Sequence, residues 1–220
     1  MYLYSPEQLV AFVLGDDEAQ PLDLQVRNES VSAHTNPSSV PDRLLLSMQP
    51  IFQIRHPALA FPSRIRAYMD VLEDAGTHNP RTRASMNFKH SRAMYDWYTQ
   101  NAGTMRPRVI DADDIMNDPA AVRQLCVETG LDPNAIQLRW DVQHSDGLLR
   151  SRMLSTINAS TGIVKGLDAR NLDIEAEKIK WKAEFGDEDG GKLAEIVHDA
   201  MPDYEYLLSK RTCGKSRSFG

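Results

Sequence analysis

Pro50-Ile51-Phe52-Gln53-Ile54-Arg55 is the stretch that decides the fold. It is apolar and β-branched up to Ile54 and polar immediately after, the pattern of a short strand buried on both faces, and such strands form the centres of parallel sheets. From Pro57 onward Ile65, Tyr68, Met69 and Leu72 recur at helical spacing, which predicts a helix over Pro57–Ala75 ended by Gly76. Pro62 falls early in it, where proline is tolerated. A second amphipathic helix is expected over Ala84–Asn101, a second strand at Arg108–Ala112, and a helix over Ala120–Thr129 opened by Asn117-Asp118-Pro119 and stopped by Gly130. Strands alternating with helices of this length imply an α/β fold with a parallel sheet and right-handed crossovers.

The flanks add less. Upstream, Pro6–Leu14 reads as a short helix, and Leu22–His34 holds alternating apolar residues suited to a strand, closed by turn signals at Asn36-Pro37-Ser38-Ser39 and Val40-Pro41. Downstream the chain turns mostly helical: a helix over Asp146–Asn158, a loop over Ala159–Leu172, then helices over Ile174–Phe185 and Gly191–Met201. Residues 1–208 form one domain in this reading. The basic end, 209–220, has little apolar surface to bury and is expected to be disordered.

Composition narrows the function classes. The chain has 220 residues, a net charge of −6 and 41% hydrophobic residues, a single globular domain that needs neither disulfide nor metal to hold a core. Cys126 and Cys213 make no disulfide framework and no zinc spacing, which fits a reducing, cytoplasmic setting. No metal ligand set has suitable spacing. The acidic balance argues against general nucleic-acid binding, no apolar run is long enough for a membrane span, and Met1–Ala19 lacks the pattern of a signal peptide. The first lysine is Lys89, and the only glycine before Gly76 is Gly15.

In open α/β sheets ligands collect at the carboxyl ends of the strands. Arg55 and His56 leave the first strand at such an edge, and Ser63 follows in the next helix. A guanidinium fork beside a helix start suits a phosphate. Spacing alone equally allows Arg55 to pair with a surface carboxylate and Ser63 to be an ordinary helix residue.

The segment Ile54-Arg55-His56-Pro57 through Pro62-Ser63 resembles the 3′-phosphate-binding motif of the sulfotransferase family, whose donor is 3′-phosphoadenosine 5′-phosphosulfate (PAPS). Val109-Ile110-Asp111-Ala112-Asp113-Asp114-Ile115-Met116 with Pro119 and Gly130-Leu131 is similar to the family's later strand, acidic turn and helix. Val164-Lys165-Gly166, Trp181-Lys182-Ala183-Glu184-Phe185 and Met201-Pro202-Asp203-Tyr204 resemble its C-terminal cofactor loop and the helix after it. These blocks run from residue 30 to 208 and are closest to a divergent group associated with fungal specialised metabolism. The resemblance implies a cofactor site at Arg55, Ser63, Lys165 and Gly166, and a general base at His34, 21 residues before Arg55.

Other parts of the family pattern are not found. No Gly-rich, Lys-containing turn precedes Arg55, Ser32 stands where the family usually has a lysine, and Val164 replaces an arginine. The chain therefore reads as an N-terminally shortened member without the phosphosulfate loop. Losing one preorganised oxyanion donor costs about 3 kcal/mol, so ordinary sulfotransfer is expected to be impaired.

The first expectation is accordingly a cofactor-independent cyclisation or isomerisation of an apolar specialised metabolite, with His34 as base or hydrogen-bond partner and Arg55 as electrostatic clamp. Phe61, Trp97, Trp140 and Asp141 are the expected substrate pocket. The alternatives are a PAPS-dependent sulfotransferase acting on a small-molecule hydroxyl, and a noncatalytic binding protein. A homodimer through an open sheet edge is expected, because unpaired edges invite association. His144 and His198 are expected on the surface.

Overall fold

The computed structural model of the chain describes residues 34–72, 75–145 and 147–214. The expected helix Pro6–Leu14 and almost all of the expected strand Leu22–His34 lie outside these residues. Among the described residues the sheet has two parallel strands, β1 (Ile51–Ile54) and β2 (Arg108–Asp111), with Ile51 opposite Arg108 and Ile54 opposite Asp111. Phe52, Ile54, Val109 and Ile110 are all buried, as expected of strands covered on both faces.

The helices, in chain order, are α1 (Asp42–Leu45), α2 (Pro57–Met69), α3 (Pro80–Ala84), α4 (Lys89–Asn101), α5 (Ala112–Asn117), α6 (Pro119–Thr129), α7 (Leu148–Met153), α8 (Ser155–Asn158) and α9 (Ile174–Leu208). Local chemistry explains their starts. His56, Asn79, Asp111, Asp118 and Asp173 each accept a backbone N–H of the first turn of the helix they precede, which satisfies donors that would otherwise be orphaned. Pro57, Pro80 and Pro119 sit where a missing N–H costs nothing.

Several boundaries differ from the expectation. The helix from Pro57 ends at Met69, not Ala75, and the stretch expected as one helix over Ala84–Asn101 is broken before Lys89. Asp146–Asn158 splits into α7 and α8. The two expected C-terminal helices are both present, divided as expected within α9 at Gly186, whose φ of 85° is not helical, and the second runs on past Met201 to Leu208. Just beyond the kink Gly190 packs on the first segment: a Cβ there would lie 2.6 Å from the Lys182 backbone. The second segment then presents Leu193, Val197, Ala200, Tyr204 and Leu207, a stripe at helical spacing that is buried throughout.

That stripe, with Trp181, closes over both strands, over Phe61 from α2 and Met94 and Trp97 from α4, and over Phe88 just before α4. Polar ties fasten it. Arg66 on α2 grips Glu184 with two hydrogen bonds at 2.5 and 2.7 Å, Arg92 on α4 reaches Asp203 at 2.9 Å, and Asp189 accepts the N–H and hydroxyl of buried Thr77. The basic end begins in order: Arg211 bridges Val109, and the Thr212 N–H donates to the Val109 carbonyl at 2.8 Å on the β2 edge away from β1. This differs from the expectation of disorder as far as Gly214, and backbone pairing supplies what the missing apolar residues cannot. Among the described residues no helix is long and apolar enough to cross a membrane.

Candidate functional site

The parallel register sets Ile54 against Asp111, so the residues that follow each strand leave the sheet side by side. Arg55 and His56 emerge from β1 next to Asp111, Ala112 and Asp113 from β2. His56 cannot point outward freely: its Nδ1 accepts the Ala58 N–H at 3.2 Å, and its ring meets Tyr204 edge-on at 5.2 Å between centres. Burial pulls its pKa below the ordinary histidine value, although Asp113 and Glu205 act in the opposite sense. It is therefore a neutral capping imidazole at pH 7, and a lone pair at Nδ1 agrees with that.

Arg55 is half-buried, and one Nη donates to the Leu167 carbonyl at 3.1 Å. Its Nε is buried with no hydrogen-bond partner. Burial lowers its pKa, opposed by the charges of Asp113 and Asp111, but a guanidinium stays protonated. The result is a permanent, partly desolvated cation with one donor to spare.

Asp111 is 2% exposed. Burial raises its pKa to about 6, even though it accepts the Asp113 N–H and the Tyr204 hydroxyl, the latter at 3.0 Å. Tyr204 is itself pushed up by burial and by Asp111. Asp113 accepts the Ala169 N–H through Oδ2 at 2.8 Å, while its Oδ1 is buried without a partner.

Leu167 and Ala169 belong to a strap, residues 165–170, that lies across the strand ends. Arg55 and Asp113 hold its middle. Lys165 donates to the Met116 carbonyl, Asn117 donates to Asp168 at 3.2 Å, and Arg170 bonds both Asn117 at 2.8 Å and Asp168 at 3.0 Å. Beside the strap opens a cleft of about 540 Å³ lined by Leu59, Asn117, Lys165, Gly166 and Arg170 among others. Ser63 is exposed on α2, one turn beyond Leu59 and on the same side of the helix.

The structure thus gathers Arg55, Lys165 and Gly166 at one strand end, with Ser63 on the neighbouring helix face. It does not gather the rest. His34 is exposed, and its Nε2–H donates to the Ser38 carbonyl within its own turn. Phe61 is a core residue stacked on Phe88 at 6.0 Å, and Trp97 is a core residue whose indole N–H donates to Thr35 at 2.9 Å. Neither shares a cavity with Trp140 and Asp141, which line a separate groove of about 1280 Å³. His144 and His198 are exposed. Sequence reasoning missed Asp111, Asp113, Tyr204 and the strap's backbone groups at Leu167 and Ala169. The run Asp111-Ala112-Asp113-Asp114 after a parallel strand is the signal that could have found the first two.

Comparison with known proteins follows the same lines. The chain is 34% identical over 203 aligned residues to "Sulfotransferase ppzF" of Metarhizium rileyi (strain RCEF 4871), an alignment that covers 83% of this chain and 58% of that protein. The match to "Sulfotransferase ppzF" of Metarhizium majus (strain ARSEF 297) has the same identity and the same coverage, 34% over 203 residues. The chain spans less than two thirds of the length of these relatives. No family model matches it, and neither does any solved structure.

Proposed function

We propose that the chain, as a sulfotransferase-like family member, binds the 3′-phosphate end of PAPS at the β1 terminus and takes part in sulfuryl transfer to a hydroxyl on a small molecule. What supports the reading most is one observation. Arg55, at the carboxyl end of a parallel strand, meets the strap that carries Lys165 and Gly166 while keeping a buried N–H without an acceptor. A phosphate oxygen satisfies such a donor, and the start of α2 adds partial positive charge. Arg55, Lys165 and the backbone at Gly166 would hold the phosphate, with Ser63 on the same side.

When bound, PAPS would supply the sulfuryl group to the acceptor oxygen, with adenosine 3′,5′-bisphosphate as the leaving group and the hydroxyl proton lost to solvent. The work of the chain itself is positioning. Asp113 ties the strap through the Ala169 N–H, and Asp111, bonded to Tyr204, fixes the start of α5. These carboxylates also weaken the field of Arg55, so an incoming phosphate competes with them for it.

Cofactor-independent cyclisation or isomerisation at His34 is the rival reading. It needs an apolar enclosure around the imidazole, whereas His34 is exposed and Phe61 and Trp97 belong to the core. Calorimetric titration with adenosine 3′,5′-bisphosphate separates the two. Micromolar binding that is lost in Arg55→Ala supports the nucleotide site; no heat at millimolar ligand, with turnover abolished in His34→Ala, would replace it with the rival.

A further inference from the structure

A groove of about 1280 Å³ lies between α5 and α6 and the extended chain beyond them. Its outer wall is a short antiparallel pair. The Trp140 N–H donates to the Thr161 carbonyl at 3.2 Å and the Gln143 N–H to the Asn158 carbonyl at 3.0 Å, with Arg139 bridging Gly162. Gly162 eases this pairing: a Cβ there would sit 3.0 Å from the Leu138 carbonyl, tight enough to need a small shift.

Met116, Ile136, Leu138, Trp140 and Val164 give the groove apolar walls, and Leu138 and Val164 remain 47% and 41% exposed. Its charged side chains are three cations, Arg123, Arg139 and Lys165, against the single carboxylate of Asp141. Such a local excess of positive charge is notable on a chain whose net charge is −6. Among the described residues Arg139 has no ion pair and no side-chain hydrogen bond, so nothing in the fold uses its charge. Lys165 lines both this groove and the cleft beside Gly166, so the two hollows meet at its side chain.

We propose that this groove is the acceptor site and takes an apolar, ring-bearing small molecule that carries one anionic group. The apolar walls cover the rings, Arg139 and Arg123 take the anion, and the end nearest Lys165 lies toward the nucleotide cleft. Calling the occupant an acceptor rests on the sulfuryl-transfer reading; its chemistry rests on the groove alone.

The test uses 2-naphthoate, neutral 2-naphthol and 2-naphthylmethylammonium as probes of one shape and three charges, by calorimetry and by the indole N–H resonances in ¹H–¹⁵N spectra. Trp140 is the informative reporter, since Trp97 and Trp181 are buried at 7% and 1% exposure; Trp140→Phe assigns its signal. The proposal expects 2-naphthoate to bind tightest and to shift the Trp140 resonance. Arg123→Gln with Arg139→Gln should weaken 2-naphthoate about tenfold and leave 2-naphthol unchanged, with Arg139→Lys restoring part of the loss. Equal binding of the cationic probe, a shift confined to the buried indoles, or indifference to both arginine changes would overturn it. Adenosine 3′,5′-bisphosphate is titrated in parallel. If the naphthoate results hold while the bisphosphate fails to bind, the groove stands and the nucleotide reading falls; the reverse removes the groove alone.

Discussion

Two aspartates in different regions of the described chain have opposite electrostatic fates, and the regions around them differ in the same way. Asp42, beside the His34 turn, sits on the surface: desolvation acts to raise its pKa, but hydrogen bonds from Asn36 and Thr35 hold it down at about 2. Asp111, at the Arg55 end of the sheet, is raised by burial to about 6 despite its own donors. In the first region polar groups satisfy one another locally and in water, which is a recipe for a well-formed turn. In the second, a cation with a spare donor, a carboxylate with a spare oxygen and a reluctant anion are packed together under a strap. A phosphate oxygen at that second region would satisfy the spare donor of Arg55.

The comparison can be broken in several ways, beginning with ligand binding. Arg55→Ala should weaken adenosine 3′,5′-bisphosphate by about thirtyfold or more, as expected when one partner of a desolvated charge contact is removed. His34→Ala should leave that affinity unchanged in the same titration. Equal losses would place both regions in one site.

The next effect is on stability. Tyr204→Phe deletes the hydroxyl that donates to buried Asp111 at 3.0 Å and should cost about 1–3 kcal/mol in urea denaturation. His34→Ala should stay within about 0.5 kcal/mol in that assay, as exposed substitutions do.

The pH dependence has opposite signs in the two regions. An ordinary aspartate titrates near ~3.9, so the folded state holds a proton on Asp111 more tightly than the unfolded chain does. Its contribution therefore falls as pH rises from about 4 and is fully lost above about 6. Asp42 contributes stability above about 4 that disappears as pH falls toward 2. Denaturation midpoints of Asp111→Asn and Asp42→Asn between pH 3 and 7 should diverge from wild type in those separate windows. The Asp111 window should also move upward in Tyr204→Phe.

Much of the sheet and little of its roof was legible in the sequence. Both strands stood out because burial on two faces leaves a continuous apolar run, and Arg55 because it ends one of them. The helix break before Lys89 was hidden, because apolar periodicity survives a short interruption, whereas the break after Phe185 was legible. The strap was invisible because long-range contacts make it. Its ties to Arg55 and Asp113 join residues 112 and 56 positions apart, and two of the groups that bind there are backbone atoms, which carry no residue signature. Phe61 and Trp97 misled because an apolar side chain on a helix face looks the same whether it lines a cavity or fills a core.

The central claim is that the Arg55 end, roofed by residues 165–170, is where an adenosine bisphosphate is held. Amide hydrogen exchange with and without that ligand tests it most directly. The account predicts added protection at residues 165–170 and at the start of α2, with none at residues 34–36. Unchanged exchange across the strap at saturating ligand, or protection confined to the His34 turn, would contradict it.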